Sequence, residues 1–177
     1  MSELIHDVGI ALRFTPWRTT SRYVHWFTRD HGRIITLIRG AVRPKSFFLG
    51  QCDLFATSDL VFYRRAGAPV HLARECQLIR PRPALRLHWT ATAAASSAAE
   101  LLLRLLPLEA PHPRLYDVTT QWLDELGEVA CAESALFWFE LRVLELEGLG
   151  PKLDRCAGCG LPVPELTDAV LAPTAGG

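Results

Sequence analysis

Long hydrophobic runs are absent from this 177-residue sequence, and their absence limits where the protein can act. No apolar run reaches the roughly eighteen residues that a membrane-spanning helix needs. The first residues also lack the charged-then-apolar pattern of a secretory leader. Because 49% of the residues are hydrophobic, the chain has enough apolar material for a core. We therefore expect a globular cytoplasmic protein of one ordinary domain or two small ones.

A disulfide framework and phosphate-binding loops are both missing from the sequence. Cys52, Cys76 and Cys131 are scattered, while Cys156 and Cys159 lie close together, which makes an odd total of five. This arrangement is not a secreted disulfide framework, and we expect the scattered three to be small buried hydrophobic residues. There is no G-x-x-x-x-G-K-[ST] loop, and the six histidines are dispersed. We therefore predict that the protein is not an enzyme.

Lysine occurs only twice, so arginine supplies nearly all of the positive charge. Residues 1–89 carry fourteen basic and six acidic side chains, whereas residues 90–177 carry five basic and thirteen acidic ones. The formal net charge of zero therefore conceals +8 in one half and −8 in the other. This asymmetry indicates either a nucleic-acid surface or a merely solvated arginine-rich surface. Arginine favours recognition, because a planar guanidinium binds phosphate through two hydrogen bonds and stacks on bases.

Five short strands are predicted in the first half of the sequence. They are Val8–Phe14, Tyr23–Thr28, Ile34–Ile38, Leu54–Tyr63 and Val70–Ile79. The first strand should end at Pro16, and the turn Asp30-His31-Gly32 should join the second and third strands into a hairpin. Five strands joined by turns suggest a small barrel of the oligonucleotide-binding (OB) type, which we assign to residues 1–80.

A basic loop follows the hairpin. Arg39, Arg43 and Lys45 lie within seven positions, with no acidic residue among them. Packing alone does not explain cationic side chains on a loop, whereas a phosphate backbone would. We hypothesise that these three residues, together with Arg29 and Arg33 of the hairpin, contact DNA phosphates.

Aromatic residues alternate along the second strand. Trp26 lies on one face, and Tyr23 and Phe27 lie on the other. One set should fill the barrel interior. The other set either leaves an aromatic side chain among arginines, as in the stacking platforms of OB barrels, or is covered by the helical part of the chain.

The second half of the sequence is helical. The run Arg80-Pro81-Arg82-Pro83 ends the strand pattern, since proline removes hydrogen-bond donors. Three helices are predicted beyond it: Trp89–Leu106, an amphipathic helix from Leu115 to Leu126, and Ala135–Leu146, which is apolar nearly all round. We assign them to an α-helical bundle domain over residues 81–151, which gives an α+β protein.

A cysteine pair lies in the last segment, residues 152–177. Cys156 and Cys159 have the spacing of two ligands at adjacent corners of a tetrahedral zinc site, that is, half of a zinc knuckle. A closed site needs two more ligands, and no Cys or His follows Cys159 in the sequence. A redox dithiol or an unoccupied remnant are the alternatives, although Pro162 and Pro164 disfavour the helix of a redox dithiol.

Three segments of the sequence together resemble the bacterial recombination mediator RecO family. They are the hairpin and basic loop from Phe27 to Ser46, the short motif His112-Pro113-Arg114-Leu115-Tyr116, and the L-D-R-C-x-x-C-G signature within Leu149 to Gly160. Their order and spacing fit over essentially the whole chain. Members of this type continue to a second C-x-x-C, which does not follow Cys159 here.

The resemblance implies a DNA-binding recombination mediator and strand-annealing protein of a RecF-type repair pathway. Such a protein helps to load the recombinase onto DNA coated by single-strand-binding protein. The implied partners are single- and double-stranded DNA, RecR, single-strand-binding protein and, in some species, RecF, in a cytoplasmic, nucleoid-associated setting. Zn²⁺ at Cys156 and Cys159 is the implied cofactor. The alternative function is a zinc-stabilised protein-interaction adaptor without DNA binding, and a thiol oxidoreductase using the cysteine pair is a third.

Overall fold

The computed structural model describes residues 2–163, together with residues 170 and 176. Within these residues, five β-strands are followed by four α-helices. The elements are β1 (Ser2–Trp17), β2 (Ser21–Thr28), β3 (Gly32–Ile38), β4 (Thr57–Arg65), β5 (His71–Arg80), α1 (Ala84–Leu87), α2 (Trp89–Leu105), α3 (Pro113–Glu125) and α4 (Ala132–Leu146). The prediction of five strands followed by helices is confirmed, while the one-turn helix α1 was not predicted.

The five strands form one sheet that closes on itself. Its order is β1-β2-β3-β5-β4, and β4 pairs back to β1. All neighbours are antiparallel except β3 and β5, which run parallel at Thr36 and Leu37. β1 has a bulge between Ala11 and Arg13; its first part pairs with β4 and its last part with β2. A long, bulged strand shared by two neighbours lets five strands close into a barrel.

The predicted end of the first strand at Pro16 is wrong. β1 continues to Trp17, and Pro16 pairs with Arg22 of β2. Pro16 lies beyond Ile10, the last residue that pairs with β4, so no described strand pairs with β1 there on its other side. A strand edge tolerates proline, because the missing N–H need not cost a hydrogen bond of the sheet.

The barrel interior is a continuous apolar core. Its largest fully buried members are Trp26, Ile34, Ile38, Leu60 and Phe62. The indole nitrogen of Trp26 donates a hydrogen bond to Thr36 Oγ1 at 2.9 Å, so the polar atom of this side chain is satisfied inside the core. The inward face of β2 is therefore the one that carries Trp26.

The scattered cysteines do not behave alike. Cys52 and Cys76 are buried in the barrel core, as expected. Cys131 is exposed, contrary to the expectation. It lies immediately before α4, where the hydroxyl of Ser134 donates a hydrogen bond to its sulfur at 3.3 Å. A position at the exposed start of a helix thus outweighs the general preference of cysteine for the interior.

The chain separates into two compact units, Met1–Leu136 and Phe137–Gly177. The first unit contains the barrel, α1 to α3 and the start of α4; the second contains the rest of α4 and the cysteine pair. The division into residues 1–80, 81–151 and 152–177 stays a prediction. None of the described helices is both long and apolar enough to cross a membrane.

The buried guanidinium of Arg82 joins the end of the barrel to α3 within the first unit. The side chain of Arg82 is 4% exposed, and two of its nitrogens lie 2.8 and 2.7 Å from the carboxylate of Asp124. Its third nitrogen donates to the carbonyl of Phe55 and to the hydroxyl of Thr57. Burial lowers the pKa of Arg82, and the carboxylate opposes that effect. A buried charge is tolerated here because every nitrogen has a partner.

We expect Arg82→Met to lower the free energy of unfolding by about 2 kcal/mol, because Asp124 keeps only the exposed Arg80 as a partner and the buried acceptors at Phe55 and Thr57 lose their donor. Urea unfolding followed by circular dichroism measures the change. Arg74→Met is the matched control, since Arg74 is exposed and pairs with its neighbour Glu75; it should cost less than about 1 kcal/mol. Adding Asp124→Leu to Arg82→Met should recover part of the loss. Equal midpoints for the two single variants would contradict this role.

His71 lies at one end of the barrel with its ring stacked on Phe62. The ring centroids are 5.4 Å apart at an interplanar angle of 21°, and the side chain is 2% exposed. Nδ1 accepts the N–H of Arg65 at 3.3 Å, so Nε2 of the neutral ring carries the proton and faces Glu109 Oε1 at 3.2 Å. Burial is the main cause that lowers the pKa of His71.

The lowered pKa of His71 predicts a loss of stability in mild acid. The unfolded chain, with a histidine pKa near 6.5, takes up this proton before the folded chain does. The contribution of His71 is therefore complete above about pH 6.5 and is lost as the pH falls toward the lower pKa of the folded state. Urea midpoints at pH 7.5 and 5.5 should differ less for His71→Gln than for the parent. The exposed His88→Gln variant should show the same difference between the two midpoints as the parent. If His71→Gln also showed the parent's difference, the proton uptake by His71 could not be its cause.

Candidate nucleic-acid interface

Many of the basic residues in the first half of the chain are already paired inside the first unit. Five arginines lie within 4 Å of acidic residues from the segment 100–124: Arg13 with Glu100, Arg29 with Asp117, Arg64 with Glu109, and both Arg80 and Arg82 with Asp124. The opposite charges of the two halves therefore neutralise one another to a large extent. The charge asymmetry of the sequence overstates the cationic surface that a ligand could use.

The basic loop between β3 and β4 keeps its charges. Arg39, Arg43 and Lys45 are exposed, and no carboxylate of the described residues lies within 4 Å of them. The loop is a chain of turns, in which Arg43 N–H donates to the carbonyl of Gly40 and Ser46 N–H to that of Arg43. Gly40 has φ of +66°, a left-handed conformation that favours glycine. The loop thus has a defined shape that presents its cations to solvent.

The turn between β1 and β2 lies beside this loop. Val42 N–H donates to the carbonyl of Thr20, and Gly40 N–H donates to Ser21 Oγ, both at 3.2 Å. These two bonds join the β1–β2 turn and the basic loop into one surface. We call this surface, residues 17–23 and 39–47, the cationic rim.

Aromatic and cationic side chains are interleaved on the β1–β2 side of the cationic rim. The guanidinium of Arg18 lies 4.3 Å from the ring centroid of Trp17. The ring of Tyr23 lies 6.0 Å from that of Trp17. Arginine beside aromatic rings is an arrangement that binds phosphates and bases of a single strand together.

The structure divides the five predicted phosphate ligands into two groups. Arg39, Arg43 and Lys45 belong to the cationic rim. Arg29 and Arg33 lie at the opposite end of β3, about 20 Å away for a strand of this length. The Nη2 atom of Arg29 is 3.9 Å from the carboxylate of Asp117. The five residues therefore do not form one cluster.

Arg33 has a structural role in the first unit. Its Nε donates to the carbonyl of Leu106 at 2.7 Å, and its own carbonyl accepts the N–H of Glu109 at 2.8 Å. Burial lowers the pKa of Arg33. Phosphate contacts by Arg29 and Arg33 stay predictions. The geometry favours the three residues of the rim, Arg39, Arg43 and Lys45, as phosphate ligands.

The aromatic residues on the outer face of β2 were expected either to lie exposed among arginines or to be covered by the helical part. Each alternative is true at one end of the strand. Phe27 is fully buried, and its ring meets that of Tyr116 on α3 edge-on, with centroids 5.5 Å apart. Tyr23, at the other end, is partly exposed beside Trp17 and Arg18. The helical part thus covers one end of this face, and an aromatic among arginines remains at the other.

Sequence reasoning missed three residues of the cationic rim: Trp17, Arg18 and Phe47. Trp17 and Arg18 were overlooked because the first strand was expected to end at Pro16. Phe47 is 96% exposed, while its neighbour Phe48 packs against the barrel core. An aromatic residue two positions after the last cation of a basic loop was the available signal.

Cys156 and Cys159 lie in a tight turn of the second unit. The N–H of Gly160 donates to the carbonyl of Cys156 at 3.0 Å. The backbone amides of Cys159 and Gly158 donate to the sulfur of Cys156 and lower the pKa of its thiol. A thiolate is what zinc requires, so the pair fits half of a site. No set of three potential ligands arranged for a metal ion exists among the described residues. Zinc binding stays a prediction.

Elemental analysis of the purified protein checks the zinc prediction. We expect less zinc in the variant Cys156→Ser/Cys159→Ser than in the parent, because both named ligands are removed. Cys131→Ser is the control, since it removes an exposed thiol that lies outside the turn. Equal zinc in all three proteins would exclude the cysteine pair as ligands.

The fold and the cationic rim together indicate the class of protein. It is a small closed barrel of oligonucleotide-binding architecture that is followed by helices. The chain belongs to the Recombination protein O family. The family's N-terminal domain matches residues 1–82, and its C-terminal domain matches residues 86–174.

Curated relatives agree with this assignment. The chain is 32% identical over 157 residues to DNA repair protein RecO of Anaeromyxobacter sp. (strain K), a match that covers 89% of this chain and 62% of the relative. It is 31% identical over 159 residues to the protein of the same name from Bacillus pumilus, covering 89% and 60%. For the Listeria monocytogenes protein (strain CLIP80459) the identity is 30% over 152 residues, covering 86% and 59%. The chain thus spans about three fifths of the length of these relatives.

Proposed function

We propose that this protein is a DNA-binding recombination mediator and strand-annealing protein that acts in recombinational repair through a RecF-type pathway. The relatives named DNA repair protein RecO support the role in repair. The observation that carries the DNA-binding part is the cationic rim. There, Arg39, Arg43 and Lys45 are exposed without a described acidic partner, although many other arginines of the barrel are paired.

The proposed mechanism is electrostatic and needs no chemical step. Binding of phosphates by the rim releases condensed counterions, which drives association with any DNA sequence. Neutralised phosphates repel a complementary strand less, so two strands can approach and pair. Arg18 and Trp17 add stacking contacts to a strand that passes the rim. Annealing in this scheme requires neither nucleotide hydrolysis nor a covalent intermediate, and the protein acts as a mediator and not as an enzyme.

The proposed partners follow from family membership. They are single- and double-stranded DNA, RecR, single-strand-binding protein and, in some species, RecF, with the protein associated with the cytoplasmic nucleoid. In this proposal it helps to load the recombinase onto DNA that single-strand-binding protein covers. A pull-down with single-strand-binding protein, with and without its acidic C-terminal tail, tests that contact; capture that is independent of the tail would count against it.

Removing one cation of the rim should weaken DNA binding equally for all sequences. We expect Arg43→Ala or Lys45→Ala to reduce the slope of log K against log salt by about 0.7 on single strands, because one phosphate contact is lost. Fluorescence anisotropy with a labelled strand at several salt concentrations measures this slope. Arg104→Ala is the matched control, since it removes an exposed arginine of α2 that pairs with Glu100.

An unchanged slope in both rim variants would contradict the proposed site. The competing function, a zinc-stabilised protein-interaction adaptor without DNA binding, makes a different prediction. In that case the parent protein would not retain a labelled strand even at low salt, while the pull-down would still capture a protein partner.

A further inference from the structure

Phe47 has the largest exposed fraction, 96%, of any large hydrophobic side chain that the structure describes. Single exposed apolar residues are common, so exposure alone has no functional meaning. The position of Phe47 is what distinguishes it. It follows Lys45 by two residues, at the end of the loop that carries Arg39 and Arg43.

The backbone on either side of Phe47 is fixed. Phe48 N–H donates to Ser46 Oγ at 3.2 Å, and Leu49 N–H donates to the carbonyl of Ser46 at 3.1 Å. The side chain of Phe48 is packed against the barrel core and anchors the loop there. The ring of Phe47 is therefore presented to solvent from an ordered turn, so that little backbone entropy is lost when a ligand covers it.

We propose that Phe47 stacks on an unpaired base of a nucleic-acid strand whose phosphates are bound by Arg43 and Lys45. This inference rests on the proposed function and assigns the neighbouring ring of the same surface to base recognition. These cations have no acidic partner among the residues that the structure describes, and they therefore favour a polyanion as the ligand. Every base has an apolar face that an aromatic ring can cover, and this contact does not depend on sequence.

Stacking on Phe47 would make the protein bind single strands more tightly than duplexes. In a duplex the faces of the bases are already covered by their neighbours, so only an unpaired or splayed base can meet the ring. A base held by its face keeps its Watson–Crick edge free. A strand bound in this way stays ready to pair with a complement, which is the arrangement that annealing needs.

Anisotropy titrations of Phe47→Ala test the inference. We expect affinity for oligothymidine to fall by about 5- to 100-fold, the range for loss of one stacked base. Affinity for a duplex with the same number of phosphates should change by less than about twofold, and the salt slope should stay that of the parent, because every cation is retained. Leu49→Ala, which removes another exposed apolar side chain of the same loop, is the control and should bind as the parent does.

An abasic strand with the same number of phosphates isolates the base. The parent should lose affinity when the bases are removed, and Phe47→Ala should lose less by the factor that Phe47 contributes, because stacking at Trp17 and Arg18 is lost in both proteins. Phe47→Trp should retain binding. Equal losses on single strand and duplex, or no loss on either, would overturn the stacking role while leaving phosphate binding intact. Failure of the parent to bind any strand at low salt would instead overturn the proposed function itself.

Discussion

The structure of the first unit depends on the buried charge of Arg82. This guanidinium lies in the run Arg80-Pro81-Arg82-Pro83, between the end of the barrel and α3. It bonds to Asp124 as well as to Phe55 and Thr57. Removal from water would be very costly for an isolated charge, so the position is stable only while α3 supplies its carboxylate. Docking of the acidic helices is thus specified by charge as well as by apolar packing.

The same pairing determines what remains for a ligand. Arg13, Arg64 and Arg80 pair with carboxylates of the segment 100–124, and their charges are largely neutralised within the fold. The proposed DNA-binding surface therefore consists of cations that have no carboxylate partner among the described residues, and the number of arginines in the sequence is a poor guide to it. Arg39, Arg43 and Lys45 meet that criterion, since they are exposed and no carboxylate of the described residues lies within 4 Å of them.

The elements of the fold were largely predictable from sequence, whereas the membership of the site was only partly so. The alternation around Trp26 and the turn before Gly32 are local signals, and they led to the correct hairpin. Whether an arginine such as Arg33 faces solvent or a backbone carbonyl depends on which segment packs over it. That contact, with Leu106, joins residues 73 positions apart, and no local pattern records it. The prediction that the first strand ends at Pro16 was wrong for a related reason, because the sequence does not show which strands pair on either side of this proline.

The cationic rim, which we propose as the DNA-binding surface, is built from turns of the barrel. Neither the β1–β2 turn nor the basic loop has a core of its own, and their relative position is set by backbone bonds from Gly40 and Val42 to Ser21 and Thr20. Such bonds hold the backbone that carries the cations, so less backbone entropy would be lost if a strand binds there as proposed. A rigid barrel with charged, ordered turns can therefore bind a flexible polyanion without a deep pocket, since the strand adapts its shape and the protein supplies the fixed charges.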